Sequence, residues 1–518
     1  MVKLSPMQPN YGKRNCGKVV ILSAISITLG ISLLVTWPLI FDTALKFGST
    51  LSKNSMATKI WQENPMPLYL DFYLMNWTNP HEIYNKDVKP RFVEVGPVRF
   101  QETKTKVNIT WNANNTVTFN QQKKWVFDEA GSAVGLDVNI TSINPVTVSG
   151  SYQARNWGYW MKKGFQLSLS SVAPEIHITK TIGEIVFDGY EDFFVSFSKA
   201  VPFLSNLPQM DKFGWFYTRN NSYTFDGTFN MDTSQDNYGV LNSWNYQDKT
   251  EANPGKCGEV RGSAGELFKK HHNRTNIEFF SPDMCRTVML DYEEDVKVNN
   301  IDGYKFSAGI SLFDNGTLKP ENGCFCNGEC VPYGAVNVSE CRYGTPAFVT
   351  LPHFYGADPY YTNSIEGLRP DKNKHQFYIS LEPTTGIPID VSARLQLNLL
   401  LQPIKYVRTF ENVPKVFFPV LWFEQVAKIP DHLSIMLRFL LAMPLICRTL
   451  GFVFIVFGVS LIAYITHRPI IQLFQQRTHP HKKNIFIVHE IVPLTQGVIE
   501  KTRTKDNIKK HRDEYLLM

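Results

Sequence analysis

Two long apolar segments, one near each end of the chain, constrain the fold more than any other feature of the sequence. Residues 19–40 contain no charged side chain, and a helix of that length crosses a hydrocarbon core of about 30 Å. Residues 449–466 are also uncharged, and Arg448 before them can extend its guanidinium to the membrane interface. We predict transmembrane helices at residues 19–41 and 443–466, with one large domain at residues 42–442 between them.

The first apolar segment differs from a cleaved signal peptide. A signal peptide has an apolar region of about 7–15 residues, followed by small residues at the cleavage site. Here the apolar segment continues through Trp37, Pro38 and Phe41. We therefore interpret it as an uncleaved membrane anchor.

The distribution of charge predicts the orientation of the chain in a membrane. Four Lys and Arg residues precede the first apolar segment, and residues 467–518 hold ten of them against five Asp and Glu. Because basic flanks stay on the cytosolic side, we predict that residues 1–18 and 467–518 are cytoplasmic. The rest of the chain carries a net charge of about −3, which disfavours a nucleic-acid partner.

Glycosylation signals and cysteines place the central segment outside the cytosol. The eight Asn-x-Ser/Thr sequons all lie between the apolar segments, at Asn76, Asn108, Asn114, Asn139, Asn220, Asn273, Asn315 and Asn337. Six of the eight cysteines lie there too, namely Cys257, Cys285, Cys324, Cys326, Cys330 and Cys341. An even set in an oxidising compartment predicts three disulfides, and the cysteine spacing does not favour a closed zinc site.

Alternation of apolar and polar residues predicts a β-rich domain. Four leucines alternate with polar residues in the pattern of a half-buried strand, namely Leu395, Leu397, Leu399 and Leu401. The same alternation in residues 107–119 surrounds an Asn-rich turn at residues 112–115, which predicts a hairpin. The four leucines are candidates to line an apolar passage, and the alternative is that each fills a core.

Helical spacing appears in one aromatic stretch, residues 151–169. Apolar residues recur there every three or four positions, at Trp157, Trp160, Met161, Phe165 and Leu169. Packing against neighbouring helices is the simpler interpretation of these side chains. The alternative is a ligand-contacting set made of the first four together with Lys162 and Lys163.

Signatures of catalysis are missing from the sequence. It has no G-x-S-x-G elbow, no H-E-x-x-H motif, no phosphate loop and no dinucleotide fingerprint. We assign structural roles to His271, His272 and His353, because none has an acidic or cysteine partner at the spacing of a metal site. We predict a protein without catalytic residues, metal or cofactor.

Seven blocks of sequence resemble a known family. They read FYLMNWTNPHEI (72–83), KPRFVEVGPVRFQE (89–102), GYEDFF (189–194), FGWFYTRNNSYTFDGTF (213–229), FFSPDMCRTVML (279–290), LPHFYGADP (351–359) and LEPTTGIPIDVSARLQLNL (381–399). In this order they are similar to the class B scavenger receptors, which include fatty-acid translocase, the high-density-lipoprotein receptor, the lysosomal integral membrane proteins and the insect sensory neuron membrane proteins.

The resemblance implies an α+β, β-rich fold. It implies a twisted antiparallel β-barrel with an apical helical bundle, and a hydrophobic tunnel that carries lipid toward the bilayer. It also implies the pairs Cys257–Cys324, Cys285–Cys341 and Cys326–Cys330. The apical stretch before residues 189–194 departs from the vertebrate fatty-acid binders, since only Lys180 lies close by. Capture of anionic ligands at the apex is therefore in doubt, whereas apolar capture is not affected.

Two further signals lie at the ends of the chain. Tyr515 to Met518 matches a tyrosine-based endocytic signal, which would bind sorting adaptors. Cys16 lies just inside the first apolar segment and is a candidate for palmitoylation, with an unmodified thiol as the alternative.

Three functions compete. The first is a receptor that binds lipids or lipoproteins, with fatty acids, sterol esters or carotenoids as ligands, and transfers them at the plasma membrane or in endosomes and lysosomes. The second is a receptor that sorts a protein ligand, bound at the apex, to lysosomes. The third is a two-pass ion channel subunit, suggested by Gly458-Val459-Ser460, but such channels have ectodomains much richer in cysteine.

Overall fold

The computed structural model describes residues 11–48, 50–200, 210–326 and 329–478. The chain divides into two compact units, residues 32–451 and residues 1–31 with 452–518. The helices are α1 (Tyr11–Gly48), α2 (Met56–Gln62), α3 (Pro145–Ala154), α4 (Tyr159–Val172), α5 (Phe193–Ala200), α6 (Pro359–Asn363), α7 (Lys372–His375), α8 (Arg408–Glu411) and α9 (Asp431–Thr478).

The strands come from both halves of the 32–451 unit. They are β1 (Leu68–Trp77), β2 (Phe92–Trp111), β3 (Thr116–Phe127), β4 (Asn139–Ile143), β5 (His177–Thr181), β6 (Thr228–Asp232), β7 (Leu241–Trp244), β8 (Asn276–Ser281), β9 (Arg286–Val298), β10 (Ile301–Ser307), β11 (Val336–Asn337), β12 (Ala347–Thr350), β13 (Tyr378–Leu381), β14 (Pro388–Leu401) and β15 (Val416–Lys428). The predicted hairpin is present as β2 and β3.

One antiparallel sheet forms the body of this unit. Its strand order is β7-β6-β3-β2-β1-β15-β14-β13-β10-β9-β8, with β12 paired to β14 and β11 paired to β12, while β4 and β5 form a separate pair. The sheet curls into a nearly closed barrel around an apolar core, since antiparallel strands with one buried face can close in this way. The predicted α+β, β-rich class is confirmed.

Within the described residues, one short segment joins the two edges of the sheet. Ser263 bridges to Val240, next to β7, and to Phe279 of β8. The backbone N–H of Leu241 donates to the carbonyl of Gly262 (2.8 Å), and the N–H of Ser263 donates to the carbonyl of Glu278 (2.9 Å). Residues 262–263 therefore take the place of a strand between the two edges.

The polar face of β14 is buried, although the sequence predicts that it faces solvent. Gln396 and Asn398 have no exposed surface. The amide of Gln396 donates to the Asn398 side chain (2.8 Å), Asn398 donates to Thr350 Oγ1 (3.1 Å), and Gln396 accepts from the N–H of His353 (2.8 Å). Thr350 and the segment that follows β12 to His353 satisfy the polar groups of this face, so the strand is buried on both sides.

The predicted aromatic helix is two helices. Helix α3 ends at Ala154 and α4 begins at Tyr159, so Trp157 lies in the connection between them. Asn144 caps α3 by accepting from the N–H groups of Val146 and Thr147. Helices α3, α4 and α5 pack together beside the barrel, and α3 contacts β14.

Helices α1 and α9 are long and apolar enough to cross a membrane, over Gly17–Gly48 and Asp431–His467. The spans predicted at residues 19–41 and 443–466 lie inside these ranges. Within the unit of residues 1–31 and 452–518, Ser23 Oγ donates to the carbonyl of Gly458 (2.8 Å) and Ser26 Oγ to that of Phe454 (2.7 Å). Small residues permit this close approach of two helices, which accounts for the position of Gly458.

Candidate functional site

An apolar cavity of about 840 Å³ lies where the helices α3–α5 meet the barrel. Small-molecule sites typically enclose roughly 300–1,000 Å³, so this cavity is large enough for one lipid and far too small for a lipoprotein particle. Most of its wall is apolar or aromatic. From the barrel it includes Val349, Leu421 and Phe423, and from the helical side Val146 and Phe194.

The structure divides the four leucines predicted to line a passage. Leu395 and Leu397 line the cavity. Leu399 and Leu401 do not belong to its lining and are fully buried in the adjoining apolar core. Leu399 and Leu401 therefore fill the core, which is the alternative that the alternation of residues leaves open, while Leu395 and Leu397 contact the cavity.

The six candidate ligand-contacting residues of the aromatic stretch divide in the same way. Trp157, Met161 and Phe165 line the cavity, and the first two are also partly open to solvent. Trp160 is 82% exposed and Lys163 is exposed beside the ring of Tyr159. These two lie outside the lining, on the surface beside the cavity.

Lys162 is the exception among these candidates, since it has a structural role. Its side chain is buried, and its ammonium donates to the carbonyl of Arg155 (2.8 Å). This hydrogen bond ties the start of α4 to the connection that follows α3. The prediction that Lys162 contacts a ligand is not supported, because burial withdraws its charge from the surface.

A cluster of charged groups, which sequence reasoning missed, forms part of the cavity wall. Arg219, Asp283 and Arg342 all line the cavity. Asp283 Oδ1 lies 2.8 Å from Arg219 Nη2 and 3.3 Å from Arg342 Nη2. Arg219 also lies 3.3 Å from Asp226, whose second oxygen is 2.6 Å from Lys123 Nζ. We call these five residues the wall cluster.

A disulfide holds the wall cluster together. The structure joins Cys257 to Cys324, Cys285 to Cys341 and Cys326 to Cys330, which is the pairing that the family resemblance implies. Asp283 is two residues before Cys285, and Arg342 follows Cys341 directly. The resemblance-based pairing could therefore have revealed that Asp283 and Arg342 are neighbours.

Further charged side chains lie between two apolar parts of the barrel. Along β3, Phe119 belongs to one apolar cluster and Trp125 to another, with Lys123 between them on the same face. On β2, Lys104 and Lys106 share the carboxylate of Glu266 (2.7 and 2.5 Å). Glu102 accepts from Trp125 Nε1 (3.0 Å) and from Gln425 Nε2. We call Glu102, Lys104, Lys106 and Glu266 the charged layer.

Glu94, His353 and His375 come close enough for a metal site, but their hydrogen bonds do not fit one. Nδ1 of His353 accepts the N–H of Arg369, and Nδ1 of His375 accepts the N–H of Asp371, both at 2.9 Å. In both rings Nδ1 is therefore a hydrogen-bond acceptor, which leaves Nε2 as the donor, and in His353 it is Nε2 that faces Glu94. A ligating His needs the opposite arrangement.

This cluster is instead a hydrogen-bonded support. Nε2 of His353 lies 2.6 Å from Glu94 Oε2, which also accepts from Trp422 Nε1 at 2.8 Å. Burial and the neighbouring His353 lower the pKa of His375 to about 4, so His375 is neutral. A structural role for His353 agrees with the sequence-based prediction, although sequence spacing did not show Glu94 as its acidic partner.

The predicted glycosylation sites differ in accessibility. Five are exposed, namely Asn108, Asn114, Asn139, Asn220 and Asn273, and two are half-buried, Asn76 and Asn315. Asn337 is only 6% exposed and accepts the N–H of Ser339 (2.9 Å), which leaves no space for a glycan. The side chain of Cys16 and the segment with Tyr515 and Met518 lie outside the described residues.

The fold and the cavity define a class of protein: a barrel with an apolar cavity, which in the sequence lies between two helices long and apolar enough to cross a membrane. The chain matches the CD36 family over residues 20–468. It therefore belongs to the CD36 family, the class B scavenger receptors, which confirms the resemblance and makes it a two-pass membrane protein.

Individual relatives agree with this assignment. Protein peste of Drosophila melanogaster is 37% identical over 431 residues, 81% of this chain and 77% of that protein. Scavenger receptor class B member 1 of Cricetulus griseus is 32% identical over 415 residues, 79% of each chain. Lysosome membrane protein 2 of Homo sapiens is 26% identical over 453 residues, 85% of this chain and 91% of that protein.

Proposed function

We propose that this protein is a receptor that takes up single lipid molecules into the cavity and transfers them to the membrane in which its helices lie. The observation that carries the proposal is the apolar cavity, walled by Leu395, Leu397 and Phe423 of the barrel and by Met161 and Phe165 of the helices. Such a wall removes a lipid tail from water, with a gain of about 25 cal/mol for each Å² of apolar surface. No covalent step is needed, so we propose that the protein is not an enzyme.

Lipoproteins would be bound differently from single lipids. A particle cannot enter the cavity, so it would dock on the exposed aromatic residues beside it, among them Tyr159, Trp160 and Tyr406. Tyr159 packs edge-to-face against both of the others, at 5.1 Å between ring centroids. A rigid aromatic surface of this kind binds apolar particles at low cost in conformational entropy. Lipid would then pass from the particle to the cavity next to Met161.

The proposal includes a location and an orientation. The sequons and disulfides between the two spans indicate that this segment lies outside the cytosol. The basic flanks favour cytoplasmic ends. One relative is named a scavenger receptor and another a lysosome membrane protein, so we propose residence at the plasma membrane with passage through endosomes or lysosomes.

Uptake of labelled lipids tests the proposal. The chain would be expressed in cells that lack related receptors, and uptake of a fatty acid, a sterol ester and a carotenoid would be followed. Leu397→Trp narrows the cavity at its barrel wall and should reduce uptake with surface expression intact. Leu167→Trp is the matched control, because Leu167 is 70% exposed on α4 and outside the cavity lining. Equal uptake by both variants would refute transfer through the cavity.

A second candidate function, sorting of a protein ligand, is favoured by one observation. Trp160 is 82% exposed in the first turn of α4, and exposed tryptophans often anchor protein interfaces. Trp160→Ala should then abolish binding of a protein ligand while uptake of free fatty acid stays unchanged. Loss of both activities together would favour lipid capture as the role of this surface.

A further inference from the structure

Helix α2 lies across one end of the barrel, between the two helices that are long enough to cross a membrane. Leu51, three residues after α1, is buried in the same apolar cluster as Trp61 of α2. Met66, four residues after α2, packs against the cluster that holds Leu437 of α9. We call this end of the domain, where the chain passes from α1 to the barrel and from the barrel to α9, the base.

One face of α2 is apolar and open. Thr58 and Trp61 are buried, and Trp61 packs against Phe119 of β3 with 4.8 Å between the ring centroids. On the other side of the helix, Met56 is 72% exposed and Ile60 is 52% exposed. Because Met56 and Ile60 are four residues apart, their side chains lie next to each other. An apolar partner that covered this pair would stabilise it.

Further apolar side chains are exposed around the base. The last turn of α1 and the first three turns of α9 contribute four of them, namely Phe47, Ile435, Met436 and Phe439. Another is Ile387, in the turn between β13 and β14. The N–H of His272 donates to the carbonyl of Pro383 in that turn (2.9 Å). Lys270, in the same loop as His272, donates to the carbonyl of Leu45 in α1 (3.5 Å), so the turn is held near the end of α1.

The base is also positively charged. Residues 46–63 contain three lysines and one glutamate, and both Lys53 and Lys59 are exposed. Lys269, in the loop that contacts α1, is exposed as well. Lysine side chains reach the phosphate groups of a membrane while neighbouring apolar side chains enter the boundary of the acyl chains. The composition of the base therefore fits a phospholipid surface.

The base lies close to the membrane. Helix α1 ends at Gly48, seven residues after Phe41, where the predicted span ends. Seven residues of helix rise about 10 Å, and the headgroup layer on one side of a bilayer is about 5–7 Å thick. The methionine and lysine side chains of α2 can cross the short distance that remains.

We propose that the base is a membrane-contact surface, with α2, the turn at Ile387 and the start of α9 resting on the phospholipid leaflet next to the domain. The leaflet is the partner because the surface is continuous with the two spans and combines apolar side chains with positive charge. This contact goes beyond the proposed function, since it does not depend on which molecule enters the cavity. It adds a third support to the two helices and so limits the tilt of the barrel.

Oxidation of native methionines in the purified full-length chain tests the inference. The chain would be placed in lipid nanodiscs that each hold one copy, so that no second copy can cover the base. Met56 is 72% exposed, and Met161, beside the cavity, is 59% exposed. A charged, water-soluble oxidant such as chloramine-T should nevertheless oxidise Met56 several-fold more slowly than Met161, as measured by mass spectrometry of peptides. Oxidation of Met56 at the rate of Met161, or faster, would overturn the proposal.

The lysines give a second prediction for the same wild-type protein. A larger share of anionic phospholipid in the nanodisc should slow the oxidation of Met56 further, because the attraction between lysine and an anionic surface draws α2 toward the headgroups. The oxidation of Met161 should stay the same. A rate for Met56 that does not respond to the anionic lipid would overturn the role given to Lys53 and Lys59.

A photoreactive side chain identifies the partner directly. The residue p-benzoylphenylalanine at position 60 should form adducts with phospholipid when cell membranes are illuminated. Position 167 is the matched control, because Leu167 is also exposed but lies on α4, which contacts α8 at the opposite end of β14 from the base. A dimeric adduct at position 60 without lipid would assign the surface to a second copy of the chain and overturn the leaflet as its partner. Equal yields of lipid adduct at the two positions would also contradict the proposal.

Discussion

The substitution Glu266→Gln should destabilise the domain strongly. The carboxylate of Glu266 lies 2.7 Å from Lys104 Nζ and 2.5 Å from Lys106 Nζ, and Lys106 has no exposed side-chain surface. Burial raises the pKa of Glu266, but the two lysines lower it more, to about 2. Removing one partner of a buried ion pair costs about 3–5 kcal/mol, and here one carboxylate serves two cations, so we expect about 5 kcal/mol.

Thermal unfolding of the purified protein, followed by tryptophan fluorescence, measures this effect. At roughly 2 °C per kcal/mol for a large domain, Tm should fall by about 10 °C. Lys106→Met is the matched variant, since it leaves Glu266 with Lys104 in a one-to-one pair. Its free energy of unfolding should change by less than about 1 kcal/mol. If Lys106→Met destabilises the protein as much as Glu266→Gln does, the charge-balance argument is wrong.

The buried ammonium group of Lys106 predicts that the stability of the domain depends on pH. Burial lowers the pKa of Lys106 to about 8, although Glu266 raises it in part, whereas the unfolded chain holds this proton to its ordinary pKa of 10.5. Between these values the unfolded state binds more protons, so the contribution of Lys106 to stability rises with pH. The free energy of unfolding of Lys106→Met, relative to that of the wild-type protein, should therefore be highest at pH 7. This gain in stability should be lost by pH 10. If the stability of Lys106→Met relative to the wild-type protein rose with pH, the assignment of a lowered pKa to Lys106 would be wrong.

Three further results are expected. Asn337→Gln should leave the electrophoretic mobility of the glycoprotein unchanged, because Asn337 is buried, whereas Asn114→Gln should increase it. Cys341→Ser opens a loop with a sequence separation of 56 residues, and the free energy of unfolding in denaturant should fall by about 4 kcal/mol. Gly262→Ala should lower it by at least about 3 kcal/mol, because the new Cβ would lie 2.4 Å from the Glu278 carbonyl oxygen at a φ of +75°.

Two of these results have internal controls. Cys330→Ser opens a loop with a separation of only 4 residues. The free energy of unfolding should therefore fall by about 2 kcal/mol, half as much as for Cys341→Ser. Gly265→Ala places a side chain at a φ of +91° with nothing within 4 Å of its Cβ, so it should cost only about 1 kcal/mol. If the two cysteine variants lost equal stability, loop length would not be the cause. If the two glycine variants did, crowding around the new Cβ would not be the cause.

The sequence predicts the parts of this fold that depend on local pattern. The two apolar spans and the β2–β3 hairpin follow from residue type and period alone. The wall cluster does not, because Arg219, Asp283 and Arg342 are distant in sequence and nothing in their local context distinguishes them from surface charges. Charged residues on a strand such as Lys104 and Lys106 usually indicate its solvent face, and only the closure of the sheet turns that face inward.

Covering segments account for the other differences. Alternation predicts one buried face on β14, but it cannot show that the chain returns against the opposite face after β12, at His353. For this reason the sequence identifies Leu395 and Leu397 as interior residues and cannot separate them from Leu399. The break between α3 and α4 is likewise a tertiary feature, since the aromatic periodicity continues through Trp157.

The bridge at residues 262–263 gives the barrel a seam. Several neighbouring strands of the wall, such as β14 and β15, are joined by long ladders of backbone hydrogen bonds. At the seam a short segment connects β7 with β8, and Gly262 is required there by its close approach to Glu278. Separating the edges at this place breaks far fewer hydrogen bonds than parting any of the long ladders. The wall is therefore easier to open sideways along this line than between the strands of a long ladder such as β14 and β15.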